Sequence, residues 1–222
     1  MPYVWNADER RYRDTSTGRW VSAARVREAA QQIVENGVSQ SEALAELVIS
    51  GQLSPEDWEA QFRETLKRRS LSNYMLGRGG RNTMAAADYG RVGAYLRGEY
   101  KLLRLFRADI EAGNVTPSQI RARSRQYFNS ARILFEKGKA AAYDLVNKLP
   151  SYPGDGHQTC QQGCRCYWEF KLIKDEQGRH IETHATWKLT PGAEHCEPDS
   201  DDGTRGCIQN AAEYNPLVFK VD

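Results

Sequence analysis

Every cysteine and every histidine of this 222-residue chain lies in one C-terminal segment, between His157 and Cys207. The five cysteines are Cys160, Cys164, Cys166, Cys196 and Cys207. Thiolates are soft ligands, and four of them placed tetrahedrally hold zinc well. The spacing therefore predicts one structural Zn²⁺ ion held by four of these five thiols, with His195 able to replace one of them. A structural zinc with a full shell has no open position, so such a site would perform no Lewis-acid chemistry.

Three other interpretations of the thiols stay open. Disulfides would suit an oxidising compartment, but the cysteine count is odd and the polar N-terminus does not read as an export signal. Buried inert thiols would not explain the clustering. A catalytic cysteine would need His184 or His195 as its base. We expect His157, His180 and His184 to be solvated or hydrogen-bonded rather than to bind metal.

The charge of the chain divides at about the same place as its cysteines. Residues 1–150 carry 24 Lys and Arg against 17 Asp and Glu, a net charge of +7, whereas residues 151–222 carry 7 against 12, a net charge of −5. Such asymmetry indicates units with different partners. We predict an N-terminal arm or hairpin over residues 1–21, a helical domain over residues 22–150 and a cysteine-rich zinc module over residues 151–222.

The positions of the apolar residues and of capping residues predict a nearly all-α region after the arm. Ser22 caps a first helix that ends at Gly37, and a short second helix follows from Ser41 to Gly51. Ser54-Pro55 begins a third helix, with Trp58, Phe62 and Leu66 on its buried face. A fourth helix runs from about Ala85 to Ile110, and the last runs from Pro117 to about Leu149.

The pattern of residue types changes after Pro150. Two runs rich in aromatic and β-branched residues, at 167–173 and 183–189, flank an Asp175–Gly178 turn and predict a β-hairpin. Residues 211–219 read as a short tail. The expected fold class is α+β, with a mainly helical N-terminal region and a small zinc-stapled hairpin module. A module of this size buries little apolar surface, so a metal would stabilise it.

The cysteine segment resembles the C-terminal cysteine motif of tailed-bacteriophage minor head and head morphogenesis proteins, the broad Mu F-like group. The residues that carry the resemblance are 149–156 (LPSYPGDG), Cys160, 163–169 (GCRCYWE), Trp187, His195, Cys196 and Cys207. Residues 5–6, 11–14 and 17–21 look like the start of phage structural proteins from the same neighbourhood. In this chain ten residues separate Cys196 from Cys207, whereas the last two cysteines of such motifs usually lie close together.

The resemblance implies a minor capsid or head morphogenesis protein, assembled in the bacterial cytoplasm and placed in the virion at or near the portal or head–tail junction. Its expected partners are portal or major capsid subunits, in several copies of a symmetric assembly, with contact to packaged DNA as a further option. The alternative is a zinc-containing nucleic-acid-binding protein that uses the arginines and lysines of two helices, which are Arg97, Lys101, Arg104, Arg121, Arg123, Arg125 and Arg132. No catalytic motif supports an enzyme.

Overall fold

The computed structural model describes residues 2–155, 164–197 and 204–221. It divides into two compact units, residues 1–142 and residues 143–222. The fold is α+β as predicted, with five helices in the first unit and small antiparallel sheets. The first unit contains β1 (Tyr3–Asn6), β2 (Arg11–Asp14), β3 (Trp20–Val21), α1 (Ala23–Ile49), α2 (Pro55–Arg78), α3 (Ala86–Glu111), α4 (Pro117–Ser130) and α5 (Arg132–Ala142). None of the described helices is long and apolar enough to span a membrane.

Helix α2 is the centre of the first unit, because it packs against α1, α3 and α5. Its predicted face is confirmed, since Trp58, Phe62 and Leu66 are fully buried. The Trp58 ring lies 5.3 Å from the Phe106 ring of α3, and the Phe62 ring lies 5.4 Å from the Phe128 ring of α4, between centroids. Aromatic contacts at these distances join three helices into one core.

Two predicted helix boundaries are wrong. The first two helices form one continuous α1, which passes through Gly37. Gly37 faces the ring of Phe128 so closely that a Cβ there would lie 2.3 Å from the ring, so this glycine serves packing rather than helix termination. The last predicted helix is two helices, α4 and α5, and the second ends at Ala142 rather than near Leu149. Asp144 has a φ of 59°, a left-handed conformation that no helix continues through.

The N-terminal arm is a three-stranded antiparallel sheet in the order β1-β2-β3. Strands β2 and β3 pair as a hairpin within the predicted arm, and β1 adds a third strand that pairs with β2. The Tyr12 hydroxyl donates to the Gly77 carbonyl at 2.5 Å, and the Trp5 amide donates to the Gly79 carbonyl at 2.8 Å. The arm therefore docks on the end of α2 in its own chain.

A buried carboxylate joins the end of α2 to the start of α3. Asp88 accepts hydrogen bonds from the Tyr74 hydroxyl at 2.6 Å and from the Ala85 amide at 2.9 Å. It also pairs with Arg78 at 3.3 Å and with Arg91 at 3.1 Å. Burial acts to raise the pKa of Asp88, but the Ala85 amide, the Tyr74 hydroxyl and Arg78 outweigh it and leave the pKa below its ordinary value.

We expect Asp88→Asn to lower the free energy of unfolding by about 2 kcal/mol at pH 7, because charged hydrogen bonds to a buried group are lost. Urea denaturation measures this. A lowered folded-state pKa gives stabilisation that is present above the unfolded pKa of about 4 and lost as pH falls through the folded value. The difference in the free energy of unfolding between Asp88→Asn and wild type should therefore shrink below about pH 4.

The control is Asp109→Asn, which removes a half-exposed pair with Arg123 and should cost under about 1 kcal/mol. Equal losses in both variants would contradict the prediction.

The second unit contains β4 (Tyr167–Lys174), β5 (His180–Lys188), α6 (Cys207–Glu213) and β6 (Leu217–Lys220). Strands β4 and β5 form the predicted hairpin, and β6 pairs with β5, which gives the sheet order β4-β5-β6. The residues predicted as a tail thus form the end of α6 and an edge strand. On the buried side, the Trp168 and Trp187 rings meet almost perpendicularly at 5.3 Å, with Tyr214 against both.

Candidate metal centre

The β4–β5 hairpin brings two separate cysteine-bearing segments together. Cys164 and Cys166 lie directly before β4, whose first residue, Tyr167, pairs with Lys188 at the end of β5. The chain that leaves β5 therefore returns beside the cysteines that precede β4. The Thr190 hydroxyl fixes this return by donating a hydrogen bond to the backbone carbonyl of Arg165.

Helix α6 carries the third cysteine, Cys207, as its first residue. The backbone N–H of Cys207 donates to the Cys196 sulfur at 3.2 Å, which holds the start of α6 against the segment after β5. At the other end of α6, the Tyr214 carbonyl accepts a hydrogen bond from the Trp187 amide at 3.0 Å. Both ends of α6 are thus fastened to β5 or to the chain that follows it.

The sulfur atoms of Cys164, Cys166 and Cys207 all lie within 4.8 Å of one another, and all three side chains are buried. The Cys164 and Cys207 sulfurs are 3.4 Å apart, well beyond the bond length of about 2.05 Å in a disulfide. In a tetrahedral site with Zn–S bonds of about 2.3 Å, neighbouring sulfurs lie about 3.8 Å apart. This group could hold a metal ion.

His195 adjoins the group through one thiol. Its Nδ1 lies 3.7 Å from the Cys166 sulfur, and its Nε2 lies 2.9 Å from the Thr190 carbonyl oxygen. A carbonyl only accepts hydrogen bonds, so in the neutral imidazole the proton lies on Nε2 and Nδ1 presents its lone pair. Histidines that bind a metal through one ring nitrogen commonly donate the other N–H to a backbone carbonyl in this way.

The other predicted ligands have different positions. Cys196 and His195 are both half-buried, and neither belongs to the group formed by the three buried thiols. Cys160 and His157 lie outside the described residues. His180 is hydrogen-bonded to the Glu182 carbonyl, and His184 contacts the Glu182 carboxylate at 3.0 Å, so neither is among the grouped ligands. Sequence reasoning missed Thr190, whose carbonyl and hydroxyl both position the site, since a lone threonine carries no signal.

The arginines of α4 that suggested nucleic-acid binding have partners. Arg121 pairs with Glu46, and Arg125 pairs with Glu42 at 3.4 Å, both across to α1. Arg123 pairs with Asp109 at 2.8 Å. These three cations stabilise contacts between helices, so the basic charge of α4 is largely used within the unit.

Comparison of the chain with protein-family models, with curated proteins and with solved structures gives no match.

Proposed function

We propose that the protein is a structural component of a tailed-bacteriophage head, a minor head protein in which one zinc ion fixes the C-terminal unit. The ligands would be Cys164, Cys166, Cys207 and His195. The observation that carries the proposal is the buried group of three thiols, because its members belong to the cysteine segment that resembles the phage motif. The proposed partners are portal or capsid subunits.

Zinc is the metal that this donor set favours. Thiolate is a soft ligand and imidazole a borderline one, and a structural Cys₃His shell is common for zinc. His195 fits the fourth position better than Cys196, since its Nδ1 faces Cys166 while its other nitrogen is already held by Thr190. In this arrangement the metal stabilises the fold of a small unit whose apolar core is limited, and it performs no catalysis.

The proposed function is tested by a quantitative mass-spectrometric inventory of purified phage particles from cells that produce this chain. We expect the chain in a fixed, low ratio to the major capsid protein. In complementation with variants, Cys166→Ser should be lost from particles, whereas Cys196→Ser should be incorporated at the wild-type ratio. A chain that is abundant in the cells but absent from the particles would refute the assignment.

A further inference from the structure

The outer face of α3 carries a row of cations beside a row of exposed apolar side chains. Arg97, Lys101 and Arg104 follow one another at helical spacings of four and three, so they form one stripe. Gly98, Leu102 and Leu105 have the same spacing and form the neighbouring stripe. We call these two rows the basic stripe and the apolar stripe.

The three cations of the basic stripe have no carboxylate partner among the residues that the structure describes. Elsewhere on the helices, arginines are paired repeatedly, as Arg107 is with Glu59 and Arg121 is with Glu46. Between residues 89 and 108, no exposed residue of α3 is acidic. The basic stripe therefore presents charge that no carboxylate of the described residues neutralises.

The apolar stripe presents large apolar side chains to solvent. Leu102 is 54% exposed and Leu105 is 58% exposed, the two highest values among the exposed large apolar residues of the described chain. A Cβ added at Gly98 would meet nothing within 4 Å, so the backbone itself is open to close approach there. Exposed apolar surface beside unneutralised charge is typical of a surface that binds a partner.

We propose that the outer face of α3 docks an acidic amphipathic helix of a partner protein. Leucines on such a helix would cover the apolar stripe, and Asp or Glu on its next stripe would face Arg97, Lys101 and Arg104. Symmetric pairing of this face with the same face of a second copy does not fit, because it would set cations against cations. Nucleic acid would match the basic stripe but would leave Leu102 and Leu105 without an apolar counterpart.

The partner helix would belong to the proposed phage assembly, so the inference rests on the proposed function. The binding of such a helix is nevertheless measured in a separate experiment. The probe is a fluorescein-labelled synthetic helix of about 20 residues with leucine and glutamate on neighbouring stripes, long enough to span both rows. Fluorescence anisotropy measures its binding to the full chain. The matched control peptide has glutamine in place of each glutamate.

We expect the chain to bind the acidic peptide at least tenfold more tightly than the control peptide. Binding of the acidic peptide should weaken at least tenfold in each of two variants. One is the triple variant Arg97→Gln/Lys101→Gln/Arg104→Gln, and the other is the double variant Leu102→Ser/Leu105→Ser. Arg25→Gln, which changes an exposed cation on α1, should leave binding unchanged.

Three results would overturn the proposal. The first is no preference for the acidic peptide over the control peptide. The second is tighter binding of a DNA duplex, with a dependence on the basic stripe and none on the leucines. The third is self-association of the chain that Leu102→Ser/Leu105→Ser abolishes. A chain that binds the peptide but is absent from particles would refute the proposed function and leave this inference standing. A chain that is found in particles but does not bind the peptide would refute this inference and leave the proposed function standing.

Discussion

Replacing Cys166 with serine should abolish metal binding and unfold the C-terminal unit, while the helical unit stays folded. A structural zinc site contributes about 10–16 kcal/mol to the folding of a small domain, far more than its apolar core supplies. The reporter is the near-UV circular dichroism of the buried pair Trp168 and Trp187. We expect this signal to collapse in Cys166→Ser, and equally in wild type treated with a chelator, with little change in the far-UV helical signal.

The variants at the neighbouring positions make the test specific. His195→Ala should behave like Cys166→Ser, because it removes the proposed fourth ligand. Cys196→Ser should keep its metal, since the Cys196 sulfur only accepts the Cys207 N–H. Cys160→Ser should also keep its metal under this assignment. If Cys160→Ser or Cys196→Ser loses the metal while His195→Ala retains it, His195 is not the fourth ligand.

Gly138→Ala should destabilise the helical unit by about 3 kcal/mol, a large effect for a single methyl group. Helices α2 and α5 cross at Gly77 and Gly138 with their backbones in contact. A Cβ on Gly138 would lie 2.2 Å from the Tyr74 carbonyl oxygen, and one on Gly77 would lie 2.2 Å from the Phe135 carbonyl oxygen. Because these neighbours are backbone atoms, the two helices must separate to admit the methyl group. Thermal denaturation should show a melting temperature lower by roughly 6–12 °C.

The matched control is Gly90→Ala on α3, where an added Cβ would meet nothing within 4 Å. This change should stabilise the unit by about 0.5–1 kcal/mol, because alanine is the better helix former and restricts the unfolded chain. If Gly138→Ala is neutral or stabilising, the helices do not cross as closely as described. The opposite signs of the two glycine variants separate crowding from intrinsic helix propensity.

Local signals were sufficient for much of the fold. Ser54 caps α2 where a helix start was predicted, through a side chain that accepts from a backbone amide, and Thr116 caps α4 in the same way. Where prediction failed, a tertiary contact decided the outcome. Gly37 stays helical because Phe128, from a distant part of the chain, needs the space that its missing side chain leaves. No window of sequence around Gly37 contains that information.

Edge strands were the other elements that the sequence did not predict. Strand β6 is four residues long and directly follows a Pro, so its composition alone does not distinguish it from a tail. It becomes a strand because β5 offers a free edge, with Leu217 opposite Ala185 and Phe219 opposite Thr183. Strand β1 is similar, since it pairs with β2 and its Trp5 amide donates to the Gly79 carbonyl at the end of α2.

For the site, the residue types were predictable and the final arrangement was not. Clustering and softness of the ligands pointed to all five cysteines without selecting among them, and the structure groups Cys164, Cys166 and Cys207. The proposed choice of His195 over Cys196 rests on which way two adjacent side chains point after β5. That direction is set by hydrogen bonds of Thr190 and of the Cys207 amide, both of which arise only in the folded unit.

Metal content and metal coordination of the natively purified full-length chain test the central claim most directly. Elemental analysis should give one zinc per chain. X-ray absorption at the zinc edge should give three sulfur ligands at about 2.3 Å and one nitrogen ligand at about 2.0–2.1 Å. A folded, metal-free chain, or a zinc ion with four sulfur ligands, would contradict the assignment of Cys164, Cys166, Cys207 and His195.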